Sequence, residues 1–340
     1  MAFALLAPLR ITVLMGGASA ERDVSLASGL RIVAALRERG HVVTALDPAG
    51  GVLDECELEA LAARNVGSEP PSLEVLAGLA DRAMRTDLVT MREIRDADVV
   101  FLALHGGQGE DGTIQALLDM AGVRYTGSGH LASALAMDKD LSKTLFRAAG
   151  VQTADWLMAP QPPELVEKSL CLPVVVKPSK QGSTVGLSVV RERGELEGAV
   201  REAFRYDDEV MIERFVAGRE LTVGVLGDRA LPVGEIKPMK EIYDYECKYT
   251  AGMATEEFPA NLSREVTNKL QEQALRAFRA LKLRGYARID FRLDERGECY
   301  CLEANTLPGM TALSLIPQGA AAAGIGFGEL CERIVQLALG

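Results

Sequence analysis

The chain has 340 residues, 48% of them apolar and 25% charged, which fits a soluble globular protein with core enough for two or three domains. Its 37 basic residues against 48 acidic ones leave a net charge of −11, which argues against nucleic acid as a partner and favours solubility. The six cysteines, at 56, 171, 247, 299, 301 and 331, lack Cys-x-x-Cys spacing and read as reduced thiols rather than a disulfide frame or a zinc site.

The opening Met1–Ala7 is apolar but short, without a leading basic residue or a convincing cleavage site, so no signal peptide is expected. No window approaches 18 uninterrupted apolar residues, so nothing is expected to span a membrane and the expected location is the cytoplasm. Arg10–Met15 reads as a strand broken by Gly16-Gly17, and Ser19–Ser25 leads into a helix whose apolar positions are Leu26, Leu30, Val33, Ala34 and Leu36. Gly40 ends that helix, and His41–Leu46 is the next strand. This βαβ opening predicts an α/β fold with a parallel sheet. Gly16-Gly-Ala-Ser-Ala-Glu21 lacks the Gly-x-Gly-x-x-Gly spacing of a dinucleotide site. Glu21, an acid beside a helix N-terminus, is either a dipole partner or a grip for a substrate ammonium.

Residues 60–95 are helix formers interrupted by Gly67-Ser-Glu-Pro-Pro71 and read as an insertion. Asp98–Leu104 is a buried strand that empties into His105-Gly-Gly-Gln-Gly-Glu-Asp-Gly112, a polar glycine loop at a strand's carboxyl end, where open α/β sheets bind ligands. By that position His105 is a candidate functional residue, whereas His41 and His130 read as surface or turn residues. Gly127-Ser-Gly129 marks a boundary. A helix over 137–149 follows, carrying Lys139 and Lys143. Leu172–Lys177 and Leu187–Val190 read as antiparallel strands joined by a glycine–hydroxyl loop, 178–186. Such a loop can donate backbone N–H groups to phosphates while Lys177 supplies a point charge. It is not a Walker A loop, because no Gly-Lys-Ser/Thr opens a helix.

Glu209–Val216 reads as a strand reaching a hinge and Glu220–Leu226 as another strand. The polar stretch 236–254, with Tyr243, Asp244, Tyr245, Lys248 and Tyr249, is long for a loop in a compact domain and reads as a lid. Asn261–Leu281 is an amphipathic helix, and about 327–339 is a last helix assigned to packing. Between them Tyr286–Leu293 alternates, with Arg288, Asp290 and Arg292 on one face and Ile289, Phe291 and Leu293 on the other. Cys299–Asn305 is placed with Tyr300, Leu302 and Ala304 on one face, Glu303 and Asn305 on the other. A four-residue loop centred on Arg296 and Gly297 sets Asp290 opposite Glu303 and Arg288 opposite Asn305. Opposed Cβ atoms lie about 4.5–5.5 Å apart, so two acids and an amide share one patch. Like charges that close need a cation, and all-oxygen ligands suit Mg²⁺. Thr306-Leu-Pro-Gly-Met-Thr-Ala-Leu-Ser314 then reads as a turn presenting N–H groups to an anion.

Taken together, the chain resembles the ATP-grasp enzymes and, within them, the D-alanine–D-alanine ligases. Eight stretches in family-like order carry the resemblance: 16–25, 105–112, Tyr125–Gly129, Met137–Lys139, Val176–Ser179 with 182–186, Tyr243–Tyr249, Gly285–Asp290 and Leu302–Thr311. What it implies is an N-terminal, Rossmann-like parallel-sheet domain (1–130, with the 60–95 insertion) followed by a two-subdomain ATP-grasp fold, 131–224 and 225–340. The implied reaction is ATP-driven joining of two D-alanines through an acyl phosphate for peptidoglycan precursors, in a homodimer. Another carboxylate–amine ligase of the same fold is the alternative. By resemblance, Asp290, Glu303 and Asn305 hold two Mg²⁺, with Mn²⁺ able to substitute. Lys139, Lys177, Gly182, Ser183, Thr184, Glu213, Phe215, Val216, Glu220 and Lys248 hold ATP. Glu21 grips the first ammonium beside Val24 and His105, Arg288 and Gly309 form an oxyanion hole, and Ser314 and Leu315 receive the second carboxylate. Ser183 and Tyr249, linked with Glu21, orient the attacking amine. Relatives that make the D-alanyl-D-lactate ester carry other residues at Tyr249, so Tyr249 resembles the peptide-forming kind. Arg214, where Lys is frequent, and Phe215, where a larger aromatic occurs, depart from the family's pattern in the contacts to adenine.

Overall fold

The computed structural model describes residues 7–63, 67, 73–80, 86–182, 184–239 and 252–340. Three sheets organise it. The first has the order β3-β2-β1-β4, from β1 (Arg10–Leu14), β2 (Val42–Asp47), β3 (Gly51–Val52) and β4 (Val99–Leu102). β1 pairs parallel with both β2 and β4, and only the short β3 runs antiparallel. The second is wholly antiparallel, β5-β8-β6-β7, from β5 (Trp156–Met158), β6 (Val174–Pro178), β7 (Ser188–Val190) and β8 (Val210–Arg214). The third, also antiparallel, runs β12-β11-β9-β13-β14, with β10 paired to β9. Its strands are β9 (Arg219–Leu226), β10 (Arg229–Ala230), β11 (Gly234–Pro238), β12 (Ala254–Glu257), β13 (Tyr286–Leu293) and β14 (Cys299–Asn305).

The 224/225 limit drawn from the sequence falls inside β9, which pairs with β13 from Arg219 to Leu226. Likewise the stretch 236–254 does not begin as loop: Ile236–Pro238 pair with Glu256–Ala254, and residues 240–251 lie outside the described structure. Within the 60–95 segment, helix Leu73–Ala80, a short 3₁₀ turn over Thr86–Thr90 and helix Arg92–Arg95 are described.

The first helix, α1 (Arg22–Glu38), buries Val24, Ser25, Ser28, Gly29, Ile32, Val33, Ala35 and Leu36. Ala34, placed on the apolar face by periodicity, is exposed, and Leu26 and Leu30 are half-buried. The face rotates because the small Ser28 and Gly29 let the helix settle against β1: a Cβ on Gly29 would stand 2.5 Å from that of Met15. The terminal helix Phe327–Leu339 packs on α1, burying Leu330, Ile334 and Val335 in the core of the first sheet. Its Glu332 pairs with Arg39 at the end of α1. The chain's end therefore seals the sheet its beginning built, while α1 itself holds the 306–314 loop through Arg31 and Ser28.

Candidate active site

β13 and β14 form the floor. Asp290 lies opposite Glu303 and Arg288 opposite Asn305, the register expected from the turn. The ladder reaches it by a different route. Between the turn and Asp290 the pairing is Leu293 to Cys299, Arg292 to Tyr300 and Phe291 to Cys301, and Leu302 is an extra residue that shifts the register. This bulge corrects the assignment of faces. Cys299, Cys301 and Ala304 point into the core, while Leu302 joins Glu303 in lining the cleft. Apolar packing of the two cysteines decides the first half of the strand, and the bulge returns the acids to the open face.

One cleft lies between the second and third sheets. Lys139, Lys177, Gly182, Thr184, Glu213, Phe215, Val216, Glu220, Arg288, Asp290, Glu303 and Leu315 line it, with Val175, Val189 and Leu302 as apolar walls. Lys139 comes from helix Lys139–Ala148, whose N-cap Asp138 accepts from Leu141 N. Its ammonium donates to the Gln181 carbonyl at 2.7 Å and stands 3.2 Å from Glu303. Lys177 donates to Glu213 at 2.7 Å. Although burial opposes it, the Lys143 and Lys177 ammoniums hold the Glu213 carboxyl down to about 2. Arg292 braces the hinge by donating to the Val216 carbonyl at 3.1 Å and to Glu220 at 3.2 Å. Thr184 sits at φ +61°, a backbone region a β-branched residue rarely adopts. Ser183, Lys248 and Tyr249 lie outside the described residues.

Asp290 is held from three sides. Arg288 donates through Nε and Nη2, Asn305 through its amide at 2.9 Å and Thr222 through its hydroxyl at 2.7 Å. Arg288 on Asp290 and Lys139 on Glu303 thus put positive groups against both carboxylates. Two opposed acids with an adjacent amide form a hard-oxygen donor set, and it fits Mg²⁺, which takes one or two carboxylates and fills its shell with water and phosphate.

A second, more polar pocket adjoins the first. Glu21, His105, Glu110, Asn305, Gly309 and Ser314 line it, and it shares Lys139, Gly182, Arg288, Glu303 and Leu315 with the nucleotide-sized cleft. Glu21 lies between two glycine loops: its Oε2 would be 2.9 Å from a Cβ on Gly106 and 3.3 Å from one on Gly182. Val24 is fully buried behind Gly309. His105 is buried, with Nδ1 2.7 Å from the Leu307 carbonyl and Nε2 3.0 Å from Ser28 Oγ. A carbonyl only accepts, so Nδ1 carries the proton and Nε2 accepts from Ser28. Burial lowers its pKa more than Glu21 raises it, keeping the ring neutral. Both ring nitrogens are therefore spent on the frame.

The loop after β14 is fastened N–H by N–H. Leu307 N donates to Glu110 at 3.0 Å, Met310 N to Ser28 at 3.0 Å and Thr311 N to Ser314 at 3.0 Å, and Pro308 has no N–H. Arg31 of α1 grips the Met310 and Thr311 carbonyls. Gly309 lines the pocket, and a Cβ there would lie 2.7 Å from Ser314 Oγ. Ser314 begins helix Leu315–Ala322, whose N-terminus favours an anion. Glu110 escaped the sequence reading although its glycine loop was singled out. It accepts from Gly106 N and Leu307 N, and burial, then Glu21, pushes its carboxyl up to about 7.

Models of two domain families match the chain: D-ala D-ala ligase N-terminus over residues 10–128 and D-ala D-ala ligase C-terminus over residues 139–336. The D-alanine–D-alanine ligase of Geotalea uraniireducens is 45% identical over 331 residues, covering 97% of this chain and 95% of that protein. The crystal structure of the ligase from Coxiella burnetii superposes with a TM-score of 0.80 at 30% identity, covering 98% and 94% of the two chains. That from Bacillus anthracis complexed with ATP gives 0.75 at 31%, covering 97% of each. The two antiparallel sheets closing on an acid- and lysine-lined cleft are those of an ATP-dependent ligase of the ATP-grasp fold. With both family models matched in order across nearly its whole length, the chain belongs to the D-alanine–D-alanine ligase family. No helix among the described residues is long and apolar enough to cross a membrane.

Proposed function

We propose that the protein joins two D-alanine molecules, with ATP cleaved to ADP and phosphate, to supply a peptidoglycan precursor in the cytoplasm, working as a homodimer. The observation that carries this reading is the shared wall of the two pockets. Lys139, Gly182, Arg288 and Glu303 face both the cleft that suits a nucleotide and the pocket that suits a small amino acid. A phosphate tail entering from one side meets a carboxylate held on the other.

Glu220, Glu213, Phe215 and Val216 seat ribose and adenine, while Lys139, Lys177, Gly182, Ser183, Thr184 and Lys248 receive the phosphates. Two Mg²⁺ ions, held by Asp290, Glu303 and Asn305, neutralise phosphate charge when bound. Glu21 holds the ammonium of the first D-alanine beside Val24 and His105. Its carboxylate oxygen attacks the terminal phosphorus and ADP leaves. Ser314 and Leu315, at a helix N-terminus, hold the carboxylate of the second D-alanine. Ser183 and Tyr249, linked with Glu21, orient its amine and take up the proton it gives up as it attacks the acyl carbon. Arg288 and the Gly309 N–H receive the negative charge that develops on the carbonyl oxygen, and phosphate departs. ADP release with Mg²⁺, compared across D-alanine, D-lactate, D-serine and L-alanine, tests the reading. D-alanine should lead, and ADP release stimulated only by a different amine would transfer the chain to another carboxylate–amine ligase activity.

A further inference from the structure

Behind the nucleotide cleft stands a cation that the proposed chemistry does not use. Lys143 lies one turn beyond Lys139 on the same helix and has no exposed surface. Its ammonium donates to Glu213 Oε1 and to Thr153 Oγ1. The Thr153 hydroxyl donates in turn to the Cys301 carbonyl at 2.7 Å, which leaves its oxygen to accept from Lys143. The Trp156 ring lies 5.1 Å from the ammonium on another side. Glu213 Oε2, the other oxygen of the same carboxylate, accepts from Lys177. The charged or titratable groups facing Glu213 and Lys143 are thus Lys177 on β6 and Cys301 on β14, whose thiol burial keeps neutral.

Only one of the two lysines can respond to a ligand. Lys177 lines the cleft, whereas Lys143 is enclosed by Thr153, Trp156 and Glu213. A polyphosphate in the cleft competes with Glu213 for the Lys177 ammonium. A carboxylate only 3% exposed, robbed of its partner, must protonate or carry an unpaired buried charge. We propose that Lys143 is a positioning residue: the fixed counter-ion that keeps Glu213 ionised and aimed at the adenine side of the cleft when Lys177 turns to the nucleotide phosphates. This rests on the nucleotide reading given above.

The test uses the full-length protein, ADP and Mg²⁺ as probe, and titration calorimetry in buffers of different ionisation enthalpy, which counts protons taken up on binding. In Lys143→Met, a change that keeps length and removes charge, ADP should bind about tenfold more weakly or worse. Binding should also take up about one proton near neutral pH as Glu213 is stranded. KM for ATP should rise by more than kcat falls. In the double variant K143M/E213Q no carboxylate is left to strand, so the extra proton uptake should vanish. Adding Lys143→Met to Glu213→Gln should then change ADP affinity by less than about twofold. A folded Lys143→Met protein that binds ADP with wild-type affinity and proton count overturns the inference. So does a tenfold loss that persists in the Glu213→Gln background, which stays decisive if Lys143→Met alone fails to fold. Failure of the wild type to bind ADP at all would instead overturn the nucleotide reading, and this inference with it.

Discussion

Along the cleft between the second and third sheets, the lining includes charged side chains carried by strands and one helix: Lys139, Lys177, Glu213, Glu220, Asp290 and Glu303. Each is held by an opposite charge on the same strand or on a neighbouring element. Around the second pocket, the side chains that shape it bond to backbone rather than to opposite charges. Glu110, Ser28 and His105 spend their hydrogen-bonding capacity on Gly106, Leu307, Met310 and one another. The difference teaches where specificity resides. In the proposed function a polyphosphate is read by charge, which tolerates small displacements, whereas the Gly309 N–H must be fixed by everything around it.

That contrast can be broken most directly at its charged end. Asp290→Ala removes an acid of the floor and leaves Arg288, Asn305 and Thr222 without their shared acceptor. Ligase turnover, read as ADP release at saturating Mg²⁺, should fall about 10³-fold or more. Near-wild-type turnover would show that the acids of β13 and β14 are structural.

Gly309→Ala tests the backbone end. Its methyl would crowd Ser314 Oγ without changing any charge, and kcat should fall about 10²-fold. The melting temperature should move little. A loss confined to stability would count against an oxyanion-binding role.

Glu110→Gln sharpens the comparison by disturbing only the frame. One of its two accepting oxygens becomes a donor facing an N–H, which should cost about 1–3 kcal/mol in chemical denaturation. The pH dependence adds a signature. The native carboxyl titrates at about 7 against an ordinary 4.5, so the folded state keeps a proton that the unfolded chain releases between those values. This contribution is present below pH 4.5 and lost as pH rises through 7. The decline in stability over that window should be shallower in the variant. Equal slopes would show that Glu110 does not titrate there.

The smallest effect on catalysis is expected at Gly29→Ala, where a Cβ would stand 2.5 Å from that of Met15, so the backbone of α1 or of the end of β1 must shift to admit a methyl. Overpacking there outweighs the better helix propensity of alanine, leaving a net cost of about 1–3 kcal/mol. KM for D-alanine should rise slightly if α1 tilts, because Glu21, Val24 and Ser28 ride on it. A large loss of stability would mean that the helix cannot move.

Much of this site could be read from the chain. Alternation placed Arg288, Asp290 and Arg292 on one face of β13, and the expected pairing of Asp290 with Glu303 is met, though through a bulge rather than through the turn itself. The glycine loops marked where backbone approaches ligand. The bulge at Leu302 was not legible, because a strict period of two assigns Tyr300, Leu302 and Ala304 to one face, and only the burial of Cys299 and Cys301 decides otherwise. Helix α1 misled for a similar reason: its large apolar residues suggested one face, and small residues against Met15 set another. Glu110 and Lys143 stood in or beside singled-out motifs, yet each also bonds a partner far along the chain, Leu307 197 residues from Glu110 and Glu213 70 residues from Lys143.

Local sequence, then, determined the strands and helices, the flexible loops and the identity of most groups that meet a ligand, since periodicity, turn propensity and charge act over a few residues. Only tertiary structure decided which of those groups are active faces and which are struts. Burial, shared counter-ions and the supply of hydrogen-bond partners belong to surfaces brought together from distant segments, and no window of the chain contains them.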